Sequence, residues 1–106
     1  NLDHSLVSTA CLVAARPPRR IRLAFFETLS ETEWSGRAFL PNLWVDITRA
    51  LDKKLKAFSI YRSEIRPYPH PRNASGLRAL ARKRGSEACV PYAEAFHVVR
   101  DYWPEG

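Results

Sequence analysis

Methionine is absent from this 106-residue chain, glycine occurs four times and cysteine twice. With asparagine at position 1, the expectation is a processed product or a piece of something larger. Cys11 and Cys89 lack the close spacing of a metal clip or a small disulfide framework. They read as buried small hydrophobes in a reducing setting. Apolar runs are only a few residues long, far below the roughly 20 needed to span a bilayer. No secretory hydrophobic segment follows a basic start, so the expected location is cytoplasmic. Neither HExxH nor CxxC spacing occurs, which excludes a zinc site supplied by one local motif. A Gly-rich phosphate loop, a nucleophilic Ser elbow and a Cys–His pair are also missing.

What is present argues for a folded chain. Hydrophobic residues make up 45% of it, with three Trp, five Phe and four Tyr to bury, so disorder is excluded on composition. A chain of this length buries only about 60–70% of its unfolded surface, which leaves independent stability marginal. The net charge of +6 comes mainly from arginine. Its clusters, "RPPRRIR" (16–22), "YRSEIRPYPHPR" (61–72) and "RALARKRG" (78–85), suit phosphate, nucleic acid or an anionic substrate. A solvated face is the plainer account.

The apolar spacing of Leu6, Val7, Ala10, Cys11 and Ala14 predicts a helix. Leu12 and Val13 widen its apolar surface, so burial on more than one side is expected. Asp3 is a suitable N-cap and Pro17–Pro18 a stop. "IRLAFFET" (21–28) reads as a buried strand, "LSETEWSG" (29–36) as a loop and "LWVDI" (43–47) as a short strand. Ile47, Leu51, Phe58 and Ile65 form a helical stripe capped by Asp46 or Thr48. Three prolines make "RPYPHPR" (66–72) non-helical. A shorter helix is expected from Asn73 or Ser75, closed by Gly85, and "YAEAFHVVRDYW" (92–103) reads as a final strand. This order is α/β, with few strands for a free-standing sheet.

Among the titratable residues, His97 sits in an apolar strand and reads as a satisfied histidine. His70 is bracketed by prolines in a stiff loop. Asp3 and His4 stand at the mouth of a helix, where a capping Asp beside an ordinary His is the local reading. Glu94 has small and apolar neighbours and, if buried, must be paired; an Arg or backbone amides are the expected partners.

Taken in order, "NLDHSLV", "ETLSETEWSGRAFLPNLWVDI", "VDITRALDKKLKAFSIYRSEIR", "PHPRN", "LARKRGS" and "YAEAF" resemble the C-terminal half of the PIG-L/LmbE-like N-deacetylases. The resemblance runs from residue 1 to about residue 100. It implies one fragment, 1–106, of a Rossmann-like three-layer α/β fold. It also implies a zinc-dependent hydrolase that removes an acetyl group from an N-acetylated amino sugar or its conjugate. In that family two zinc ligands and the general base come from a His-Pro-Asp-Asp motif, and the third ligand closes a His-x-x-His motif. "NLDH" falls on the second motif, which makes His4 the implied zinc ligand and Asp3 a neighbour that orients the site. Asn1 stands where many relatives have the first His; it can donate to an oxyanion but cannot shuttle a proton. Tyr61 and Glu64 replace residues of the common His-Lys-Ser-Gln segment. No His-Pro-Asp-Asp motif occurs here, so no catalytic base is expected in this chain and the chain alone is expected to be inactive.

The loops at 28–42 and 66–73 are expected to form the outer wall of the substrate pocket. Trp34 would stack on a sugar, while Asn42, Tyr61, His70 and Arg72 would contact the remainder, with Glu94 as a structural carboxylate nearby. Two rival readings remain. One is a small basic nucleic-acid-binding module, against which the aromatics follow core periodicity. The other is a non-catalytic interaction module on the same scaffold.

Overall fold

The computed structural model describes residues 2–106, with side chains from His4 onward. The order is α1 (Leu2–Ala14), β1 (Leu23–Phe26), β2 (Leu43–Asp46), α2 (Leu51–Phe58), a 3₁₀ turn (Arg62–Glu64), α3 (Ala74–Ala88) and β3 (Ala93–Arg100). The described residues thus form a small mixed α/β domain with three α-helices and one three-stranded antiparallel sheet, ordered β1-β3-β2. The last strand is central. It pairs Phe26 with Phe96 on one side and Leu43 with Phe96 on the other. The pairing with β1 shifts register between Leu23 and Ala24, where Arg100 and Val98 are the partners.

Local chemistry explains most boundaries. The Asn73 side chain accepts from the Gly76 amide at 2.8 Å and so caps α3. Asp46 does not cap α2; its Oδ1 accepts from the Thr48 amide and hydroxyl at 2.9 and 2.6 Å, forming a turn before the helix. These bonds hold the Asp46 carboxyl below its ordinary range. The helical stripe expected as far as Ile65 stops at Phe58, because the residues beyond have little to pack on: Ile60 is exposed. Gly85 does not end α3. It lies inside the helix, where an added Cβ would stand 2.5 Å from the Val90 carbonyl oxygen. Cys89 ends the helix in the left-handed region, at φ 61°. Asp3 lies within α1 rather than before it, since the helix already begins at Leu2.

Packing is thin. Ile47, Leu51 and Ala81 form the buried cluster, with Leu55 and Tyr92 against it, and among the described residues no large side chain is fully buried. α3 lies on β3 and β2, and α2 lies on α3. Among the described residues α1 packs on no other helix or strand. Leu6, Val7 and Val13 are exposed rather than buried, and both cysteines are exposed as well. The row Phe26–Phe96–Leu43 crosses one sheet face, yet Phe26 is 71% exposed.

The accessible surface is 8408 Å² for 12.2 kDa, whereas a compact monomer of that mass has about 6,100 Å². The radius of gyration is 15.5 Å, against roughly 13 Å for a compact chain of this length. No helix among the described residues is long and apolar enough to cross a membrane.

One polar network ties the layers together. Trp44 in β2 donates its indole N–H to Glu87 of α3 at 3.1 Å. Arg84 donates to both oxygens of that carboxylate at 3.0 Å. The indole bond first, and the guanidinium second, hold the Glu87 carboxyl below the usual glutamate range. A lowered folded-state pKa means that this contribution is fully present above the unfolded value, about 4.3. It is lost as pH falls through the lower folded value. Urea denaturation across the acid range should therefore show a decline in midpoint below about pH 4. In Glu87→Gln that decline should be shallower.

Candidate functional site

The turn after β1 is built by its own hydroxyls. Thr32 Oγ1 accepts from the Thr28 amide at 2.7 Å, and the Glu31 and Thr32 amides return to the Thr28 carbonyl. Ser30, at φ 66°, is thereby folded inward and is buried. Glu31 is turned toward α1, where its carboxylate meets His4 Nδ1. The proline-rich segment 66–73 approaches from the other side. Arg72 donates to Ser30 Oγ at 2.6 Å and to Glu64 at 3.0 Å. Its own amide donates to His70 Nδ1 at 3.0 Å. The His70 ring stands edge-on to Trp34, with centroids 5.2 Å apart. The two loops of the expected pocket wall therefore meet.

Two clefts open on this junction. The first, about 530 Å³, has an apolar floor of Phe26, Phe58, Leu77, Leu80 and Phe96. The second, about 640 Å³, runs beside α1 and is more polar, with Thr28, Ser30, Thr32, Trp34 and Ser35. His4, Glu31 and Arg72 line both. Glu94 borders the first cleft and pairs with Lys54 of α2 at 2.7 Å, rather than with an Arg or backbone amides.

The other sequence candidates lie elsewhere. Asn42 exchanges two hydrogen bonds with the Val98 backbone and extends the β2–β3 ladder. Tyr61 is 65% exposed before the 3₁₀ turn and lines neither cleft. His97 is engaged with the Leu40 carbonyl at 2.8 Å. Asn1 lies outside the described residues, as does the side chain of Asp3. Glu31 and Ser30 are the residues that sequence reasoning passed over. Nothing in "LSETEWSG" distinguishes Glu31 from Glu33, because the selection is made by a hydroxyl-bonded turn.

In comparisons with protein-family models, characterised proteins and solved structures, no match was found.

A zinc ion that activates water takes three protein ligands. Among the described residues no three His, Cys, Asp or Glu are grouped to hold a metal. The described part of the chain by itself does not fit zinc, although His4 has the imidazole–carboxylate pairing that fixes the tautomer of a ligating histidine.

Proposed function

We propose that this chain is the C-terminal part of a zinc-dependent N-deacetylase of the PIG-L/LmbE-like kind, acting on an N-acetylated amino sugar or its conjugate. The observation that carries the reading is His4, held by Glu31 where two clefts and Arg72 converge. The resemblance of "NLDH" to the closing half of a metal-binding motif lands on that residue. A Rossmann-like arrangement, with this antiparallel sheet as one side of a larger mixed sheet, belongs to the proposal. The large exposed surface, with Phe26 and Leu43 exposed on the two outer strands, supports it, since it calls for a further layer.

Zinc, were it held there with ligands from outside this chain, would supply a polarised water. Glu31 holds His4 at Nδ1, so Nε2 would be the nitrogen left to ligate the ion. Trp34, 63% exposed, offers a flat face for a sugar ring. Arg72, preset by Ser30 and Glu64, presents a charged donor to hydroxyls or to an anionic aglycone. This chain contributes no general base, so hydrolysis requires groups from outside it.

Zinc titration of the isolated chain is the test. The chain should retain no zinc after dialysis and hydrolyse no N-acetylglucosaminide. One tightly held zinc, or robust amide hydrolysis, would overturn the proposal. The coding sequence upstream of Asn1 separates this reading from that of a non-catalytic interaction module, which the open apolar faces also favour. An in-frame strand followed by His-Pro-Asp-Asp is the result expected here.

A further inference from the structure

Away from both clefts, the α1–β1 linker and the end of β3 make a second surface. Between His4 and Glu27 the sequence has no acidic residue, while Arg16, Arg19, Arg20 and Arg22 fall within seven positions. Arg16, Arg19 and Arg20 are exposed, and among the described residues they take part in no ion pair. Leu12 and Val13 at the end of α1, and Ile21 in the linker, are 41%, 53% and 40% exposed. Trp103 is 92% exposed.

Several bonds tie the linker to the end of β3. Tyr102 donates its hydroxyl to the Arg20 carbonyl at 3.2 Å, and Arg22 donates to the Tyr102 carbonyl at 3.3 Å. Arg22 also lies over the Tyr102 ring and pairs with Asp101 at 3.0 Å. Arg100 closes the patch by donating to the Ala15 carbonyl. Asp101 and Glu105 are the acids nearby in sequence, and the first is neutralised by Arg22.

We propose that this surface binds the face of an anionic lipid bilayer. Guanidinium groups take phosphate in bidentate fashion. Trp and Tyr rings settle at headgroup level, with the ring in the acyl boundary and the polar end in water. The exposed aliphatic side chains favour this partner over nucleic acid, whose bases are held by stacking on aromatics rather than by Leu, Val and Ile. The charge is complementary to a phosphatidylserine surface, where each arginine raises affinity about fivefold. The patch shares no residue with the clefts.

The test is co-sedimentation of the full chain with phosphatidylcholine vesicles, with and without phosphatidylserine. A salt series and a single-stranded oligonucleotide competitor complete it. Binding should require phosphatidylserine and weaken with salt. Replacing Arg16, Arg19 and Arg20 together by Gln should lower affinity about a hundredfold. Trp103→Ala should lower it severalfold while the circular dichroism spectrum stays unchanged, since the ring is almost wholly exposed. No partition onto phosphatidylserine vesicles would overturn the proposal. So would equal binding by the triple variant, or displacement from vesicles by the oligonucleotide at equal salt.

Discussion

Gly76→Ala should destabilise this chain by about 3 kcal/mol or more, although the same change inside most helices is stabilising by roughly 0.5–1 kcal/mol. Gly76 is the third residue of α3, and the backbone of Pro71, just before the helix, lies against it. A Cβ built there would lie 1.8 Å from the Pro71 carbonyl oxygen and 2.7 Å from its carbon. Both atoms are backbone, so no side chain can swing aside. Relief requires moving Pro71 together with its neighbours. Arg72 would then leave Ser30 and Glu64, and Asn73 would lose the amide it caps.

Overpacking of a well-filled site costs about 1–3 kcal/mol even where the surroundings can yield. Here they cannot, and the loss of the cap adds about 1 kcal/mol more. Small domains hold only about 5–15 kcal/mol in total, and a core without one fully buried large side chain places this chain at the low end. Urea denaturation followed by circular dichroism checks the expectation. Ser75→Ala, an exposed change in the same turn, should shift stability by no more than about 0.5 kcal/mol. A Gly76→Ala protein as stable as the parent would show that the 66–73 segment does not sit on α3.

The elements of this fold were largely legible in the sequence, and the packing was not. The cap at Asn73, the strands around Leu23–Phe26 and Leu43–Asp46, and the final strand all follow from local chemistry. Such chemistry acts within a few residues and therefore shows in spacing. Gly85 has the look of a helix stop for the same local reason, whereas its role is to admit the Val90 carbonyl from the returning chain. The apolar spacing of α1 announces a buried helix, yet the described residues leave its Leu6 and Val7 bare. Periodicity reports what a helix can bury, not whether a neighbour is there to bury it. At the candidate site, loop position brought Trp34, His70 and Arg72 to attention. Glu31 depended on a turn that only the folded backbone reveals.

Charge was the hardest feature to read, and Arg84 shows why. In "RALARKRG" it is indistinguishable from Arg82 and Lys83, and all three count toward a basic surface. In the fold its side chain is 14% exposed and grips Glu27 through two parallel bonds of 2.7 and 2.8 Å. It also bonds Glu87 and lies over the Phe39 ring. Contact with the two carboxylates raises its pKa further, so it stays charged at every accessible pH.

Arg84→Ala should therefore cost about 3–5 kcal/mol. Most of that loss is the Glu27 carboxylate, 11% exposed, left without a counter-charge. Arg84→Lys should recover only part of it, because an ammonium cannot reproduce the two-pronged contact. The deciding comparison is the double variant Arg84→Met with Glu27→Gln. Removing both charges lifts the desolvation penalty from the survivor, so the double variant should be more stable than Arg84→Met alone. Thermal or urea unfolding of the four proteins in that cycle measures the coupling directly. Additive losses would mean that water already solvates Glu27, and that this arginine belongs to the basic surface after all.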